Sequence, residues 1–177
     1  MIVLIPAEDV PLDSDGKPIL GGIFCVPHKP GADRLINDRR PPNLHEGSLH
    51  WESLPHGSQL CLMILHPEEI LRGSGDDLSN YFYLLSHSEP WLPRNAFGRR
   101  LRGEHYAAFG GKPGAWYYPA FRVVCMGDKN AVSIAQATHL ALLEAHGCMR
   151  PEEVLAYRRP PPPAVRCGKA YTSTTTL

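Results

Sequence analysis

Ile23-Phe24-Cys25-Val26, Pro27-His28-Lys29-Pro30-Gly31-Ala32 and Asp33-Arg34-Leu35-Ile36 follow one another directly after a pair of glycines. Two short runs rich in β-branched, aromatic and aliphatic residues flank a Pro/Gly turn. That order predicts a β-hairpin, and the cations near the turn give it a basic tip. Beyond it, Asn37-Asp38-Arg39-Arg40-Pro41-Pro42-Asn43 is turn chemistry crowded with hydrogen-bonding side chains. Upstream, Pro6, Pro11 and Pro18 stand among acidic residues, so residues 1–22 read as an extended lead-in.

Further along, 59–65 is apolar enough for a strand or the start of a buried helix. Residues 67–73 show helix signals in order: Pro67 first, Glu68 and Glu69 in the first turn, Arg72 last and Gly73 after. The stretch Gly75-Asp76-Asp77-Leu78-Ser79-Asn80-Tyr81-Phe82-Tyr83 sets adjacent carboxylates on a glycine turn and feeds a strand over 81–85. Paired carboxylates suit a hard cation such as Mg2+, and Asp-Asp turns are also ordinary surface features. Pro90 to Pro93 breaks the chain. Residues 94–99 and 116–124 read as strands that pair antiparallel across the Gly110–Gly114 loop. Met126-Gly127-Asp128-Lys129 is a turn into the best helix of the sequence, 131–146, with Asn130 as N-cap and Gly147 as stop. Ile134, Ala137, Ala141 and Ala145 mark one of its faces. A further helix start lies at Pro151. Pro160 to Pro163 and the Ser/Thr run to Thr176 predict a disordered tail over 159–177.

The chain has 177 residues, enough for one domain with a core. Lys plus Arg and Asp plus Glu number 18 each, so no global field draws in a polyanion. Local basic points remain at Arg39-Arg40, Arg99-Arg100-x-Arg102 and Arg158-Arg159, which read by default as solvated surface. Five widely spaced cysteines without a Cys-x-x-Cys argue for reduced thiols in an intracellular protein, nuclear or cytoplasmic and not secreted. Nine histidines fall in no zinc-ligand pattern. Residues 1–10 lack the basic flank and apolar length of a signal peptide, and no run approaches the roughly 20 apolar residues of a membrane span.

Taken in order, these features resemble the front half of a retroelement reverse transcriptase. Val26-Pro27-His28-Lys29-Pro30-Gly31 with Arg34-Leu35-Ile36-Asn37-Asp38-Arg39-Arg40-x-x-Asn43 looks like the fingers motif. Asp77-Leu78-x-x-Tyr81-Phe82-Tyr83 looks like the palm motif that carries the first catalytic aspartate. Asn95-Ala96-Phe97 resembles the strand after it. Cys125-Met126-Gly127-x-x-Asn130-Ala131 with Gln136 resembles the glycine turn and helix. The resemblance spans about residues 23 to 146. It implies an α+β fold, a partial right-hand polymerase with a fingers hairpin and an incomplete antiparallel palm sheet, over residues 23–158.

The resemblance also implies RNA-directed DNA polymerase chemistry. A template–primer of RNA or DNA and deoxynucleotides would be the partners, and two Mg2+ ions roughly 3.5–4 Å apart would stabilise the attacking and leaving oxygens. Asp77 would be the catalytic aspartate and metal ligand. Lys29 and Arg34 would close on the triphosphate, Phe82 would lie under the sugar, and Met126 and Gly127 would lie against the nucleotide or template. Asp38 and Arg40 read as a structural ion pair. The family's second acidic element, usually Tyr-x-Asp-Asp, is missing: the one acidic pair after Gly127 is Glu152-Glu153, at a helix start. No thumb follows. The expectation is therefore a truncated enzyme, inactive alone.

Three alternatives stand beside this. Gly75-Asp76-Asp77 matches the Gly-Asp-Asp of viral RNA polymerases, but there the glycine turn and helix would come in the wrong order. A non-catalytic nucleic-acid-binding or protein-interaction remnant, offering its proline tail, is the reading from another class. A hydrolase built on Cys148 and His146 lacks a residue to orient the pair.

Overall fold

The computed structural model describes residues 1–49, 54, 57–71 and 77–155. Among the described residues the fold is α+β, with two small antiparallel sheets and few helices. The chain divides into two compact units. One holds Met1–Ser48 with Asn80–Ala131, and the other holds Leu49–Ser79 with Val132–Leu177.

In the first unit β1 (Ile2–Pro6), β4 (Leu101–Arg102) and β5 (Trp116–Phe121) form a three-stranded sheet in the order β1-β5-β4. Strand β5 is central because side chains on both of its faces are apolar, as burial on two sides requires. Tyr118 and Ala120 pack with Ile5, Val10, Leu92 and Ala96 on one side. Phe121 continues into a second cluster with Phe97, Val123 and Cys125 on the other, where the rings of Phe97 and Phe121 stack with centroids 4.6 Å apart.

The predicted hairpin is present. β2 (Gly22–Lys29) and β3 (Ala32–Asp38) pair antiparallel around Pro30-Gly31, with Gly31 at φ +77°. Proline followed by a positive-φ glycine is the chemistry of a type II turn. Pro27 has no N–H to give the ladder, and the register shifts between Pro27 and Lys29. Helix α1 (Arg40–Leu44) begins with prolines in its first turn, where a missing N–H costs nothing.

Several expectations fail for identifiable reasons. Residues 2–6, read as lead-in, are extended but pair along their length with β5. Residues 81–85 were expected as a strand, and instead helix α2 (Tyr81–Leu84) forms a single turn. Asn80 sits at φ 57° and its carbonyl accepts from the Tyr83 N–H at 2.9 Å, so the chain turns before it extends. Pairing starts four residues late: Ser86 bridges Val123, His87 N–H donates to the Arg122 carbonyl at 2.8 Å, and Val124 N–H donates to the Leu85 carbonyl at 2.8 Å. The strand expected over 94–99 is reduced to Ala96 and Phe97, which bridge Ala120 and Gly21, after a 3-10 segment Glu89–Asn95 set by two prolines. The pairing of Ala96 with Ala120 is antiparallel, as expected.

In the second unit 57–62 is a 3-10 turn and no strand or buried helix. Residues 67–71 form no helix. His66 and Glu69 close one turn, with the Glu69 carboxylate accepting the His66 N–H at 2.9 Å and no further ladder. The long helix α3 (Ala131–Ala145) is as expected, and it carries the chain out of the first unit. It stops as the sequence predicts: Gly147 takes φ 64°, its N–H donates to the Glu144 carbonyl, and the Cys148 N–H reaches back to the Leu143 carbonyl at 2.8 Å. Glu152-Glu153 belongs to a single 3-10 turn, Pro151–Glu153. Among the described residues no helix is long and apolar enough to cross a membrane. The predicted tail lies outside the described residues.

Candidate functional site

The strongest polar construction in the first unit joins the base of the β2–β3 hairpin to the glycine turn before α3. Asn43, on α1, makes the join with its amide. Its Nδ2 donates to the Gly127 carbonyl at 2.8 Å, and its Oδ1 accepts the Lys129 N–H at 3.0 Å. Lys129 Nζ then donates to the Glu46 carbonyl at 2.7 Å, and Asn130 Nδ2 to the Gly47 carbonyl at 2.9 Å. Gly127 stands at φ +98°, a conformation that favours glycine, with the Asn37 carbonyl 3.7 Å from where a Cβ would be.

Beneath this join lies a buried ionic cluster. Arg39 is 2% exposed. Its guanidinium donates from Nε to Asp128, from Nη2 to Glu46, and from Nη1 to the Arg94 carbonyl at 2.7 Å. A planar fork with donors in three directions is what arginine offers and lysine does not. Asp128 Oδ2 also accepts the Cys125 N–H at 2.8 Å and lies 3.7 Å from Nε2 of His87. His87 stacks on Trp91, and the Arg94 guanidinium lies 5.1 Å above the same indole.

The two carboxylates diverge. Burial pushes Glu46 up, more than Arg39 pulls it down, and the charge of Asp128 adds to the rise. Burial also opposes ionisation of Asp128, but His87, Arg39 and the Cys125 N–H outweigh it and hold the group below the usual aspartate range. Cys125 is pushed up to about 11 by burial and by Asp128. Its thiol is therefore expected to resist iodoacetamide at pH 8 in the native chain while the exposed Cys25, Cys61 and Cys148 react. Peptide mass mapping checks this, and native labelling of Cys125 at the rate of the exposed thiols would contradict it.

Arg39 was read with Arg40 as solvated surface, and the structure splits the pair. Arg40 is exposed and binds Asp38 through two hydrogen bonds of 2.9 and 2.7 Å, the ion pair expected from the sequence. That contact, above all, holds Asp38 down at about 2. Arg39 turns inward. No local spacing signals its partners, since Glu46 lies seven positions away and Asp128 eighty-nine.

Gly127 and the half-exposed Met126 lie at the join, beside the hairpin base. Lys29 and Arg34 stand exposed toward the hairpin's far end, where Arg34 Nη2 lies 3.3 Å from His28 Nε2. Phe82 is 7% exposed in the core of the first unit, its ring tilted against Tyr81. Asp77 is exposed and belongs to the second unit, and its neighbour Asp76 lies outside the described residues.

Among the described residues no group of three His, Cys, Asp or Glu side chains is arranged to hold a metal ion. Glu153, in the one acidic pair after Gly127, spends a carboxylate oxygen on the Arg150 N–H at 2.9 Å. The described donors therefore do not make up a two-ion site. No family model matches the chain, and no curated protein matches it.

Proposed function

We propose that the chain is the fingers-and-palm portion of a retroelement reverse transcriptase, a partial right-hand polymerase that contacts nucleotide phosphates and template–primer but does not extend a primer alone. The observation that carries this reading is the Asn43 join. The two motif segments it links lie 84 positions apart, and it is their order that suggested the family. A ribbon that carries cations toward its far end, with its base beside a glycine turn, offers phosphate contacts along the ribbon and a close backbone approach at the turn.

In this reading Lys29 and Arg34 supply charge-assisted contacts to the triphosphate. Gly127 lets a nucleotide or template base approach the backbone closely. Asp77, in the second unit, is the carboxylate that the resemblance gives to Mg2+.

Three measurements test the proposal. Primer extension on a synthetic template–primer with Mg2+ or Mn2+ is expected to show no incorporation, and incorporation would refute the inactive-fragment reading. Deoxynucleotide triphosphate is expected to bind with an affinity that the double variant Lys29→Ala/Arg34→Ala lowers about tenfold or more, and Asp77→Ala is expected to weaken Mn2+ binding measured without nucleotide. A chain that binds no triphosphate under any condition is a remnant of the non-catalytic kind.

A further inference from the structure

We propose that Arg100, Trp116 and Arg102 form a stacking surface for single-stranded nucleic acid. The inference rests on the nucleic-acid reading above and gives the strand a contact face on the first unit. Arg102 and Trp116 are direct cross-strand partners in the β4–β5 ladder. Arg100, just before β4, reaches the same ring. The two guanidinium carbons lie 4.7 and 5.2 Å from the centroid of the Trp116 ring. The alternate residues, Leu101 and Tyr117, turn to the opposite side, where Tyr117 is buried.

The indole is nevertheless 37% exposed. Arg99 and Arg100 are exposed, and among the described residues no carboxylate lies within ion-pair distance of either. Arg102 has Glu104 alone, at 3.7 Å. The base of the face is rigid, because Gly103 N–H donates to the Ala115 carbonyl at 2.9 Å immediately beside both strands. An exposed aromatic ring framed by two guanidinium groups, of which Arg100 has no carboxylate within ion-pair distance among the described residues, answers two features that occur together in single-stranded RNA or DNA. Phosphates accept from the arginines, and a base stacks on the indole. Arginines also serve to blunt an exposed sheet edge, which is the rival explanation for β4. That role needs no open tryptophan. An acidic peptide or a phosphate polymer would engage the arginines and leave the ring unused.

The test uses the full chain, a fluorescein-labelled oligouridylate 15-mer and inorganic polyphosphate of equal charge. Binding is followed by anisotropy and by quenching of tryptophan emission. Trp116→Leu is expected to weaken oligouridylate binding about tenfold, the scale of one lost stack. Trp116→Phe keeps most of the affinity but loses the quench. Arg100→Gln/Arg102→Gln is expected to lower the slope of log affinity against log salt by about 1.4. Polyphosphate should compete poorly and quench nothing.

The proposal falls if Trp116→Leu binds like the parent, if the double variant keeps the parent's salt slope, or if polyphosphate competes as well as the oligonucleotide. It also falls if the oligouridylate does not bind at all. The fragment reading has its own readouts, triphosphate binding through Lys29 and Arg34 and, apart from it, Mn2+ binding through Asp77.

Discussion

Replacing Arg39 with methionine is expected to lower stability by about 3–5 kcal/mol at neutral pH, with a loss that shrinks as the pH falls. Methionine fills much of the same space, so the effect measured is electrostatic. Removing the guanidinium takes the ion-pair partner from Glu46 and leaves Asp128 with His87 and the Cys125 N–H, in a site where Arg39 is 2% exposed. It also leaves the Arg94 carbonyl without its donor. An uncompensated buried charge is far more damaging than the loss of a surface pair.

The pH dependence follows from the directions of the shifts. Glu46 titrates above its ordinary value when folded, so its contribution is present below that value and is lost as pH rises through the raised one. Asp128 titrates below its ordinary value, so its contribution is present above it and is lost as pH falls through the depressed one. In the parent the two trends oppose each other in acid. Without Arg39 the main group pulling Glu46 down is gone and one of those holding Asp128 down is lost, so Glu46 favours the protonated form still more and acid relieves the defect. Urea denaturation of parent and Arg39→Met at pH 7 and pH 4.5 measures this. A loss that grows in acid, or none at pH 7, would show that the cluster is not an ionised one. Arg39→Lys should recover only part of the loss, because a single ammonium cannot reach three acceptors lying in different directions.

The parts of the fold that were legible in the sequence are those whose signals are local. The β2–β3 hairpin is written in two apolar runs and a Pro-Gly turn, and α3 in its glycine stop. The single turn of α2 was not legible, because three aromatics in succession read as a strand and nothing but the left-handed Asn80 decides otherwise. Strand β1 was misread because its reason for existing is β5, at the far end of the unit, which pairs Ile2 with Phe121. Of the candidate site, the exposed cations Lys29 and Arg34 and the open turn at Gly127 were visible as motif residues. The buried cluster was not. Arg39 and Arg40 are the same residue type at adjacent positions, and only the rotation of the chain into α1 sends one into the core and leaves the other in water. Long-range polar partners of this kind have no period to read.

Gly103→Ala is expected to lower stability by about 3 kcal/mol, equivalent to a fall of about 6–12 °C in Tm. A Cβ at this position would lie 2.1 Å from the Lys112 carbonyl oxygen, 2.8 Å from the Lys112 nitrogen and 2.8 Å from a Tyr117 ring carbon. Two of the three obstacles are backbone, so no side-chain rotation relieves the clash. The opposing strand of chain is crowded in return, since a Cβ on Gly111 would meet the Gly103 carbonyl at 2.5 Å. The pair is close because the 3-10 segment Gly103–Phe109 folds back on itself, with Gly111 N–H donating to the Tyr106 carbonyl at 3.1 Å. Gly47→Ala is the control: its Cβ would meet nothing within 4 Å, and its stability should be almost unchanged. A Gly103→Ala variant as stable as Gly47→Ala would mean that the two backbones are not packed this closely. The substitution should also reach the proposed nucleic-acid face, since parting the Gly103–Ala115 hydrogen bond loosens Arg102 and Trp116 at once. Oligouridylate affinity should then drop in Gly103→Ala even at temperatures where the chain stays folded, whereas Gly47→Ala should bind like the parent.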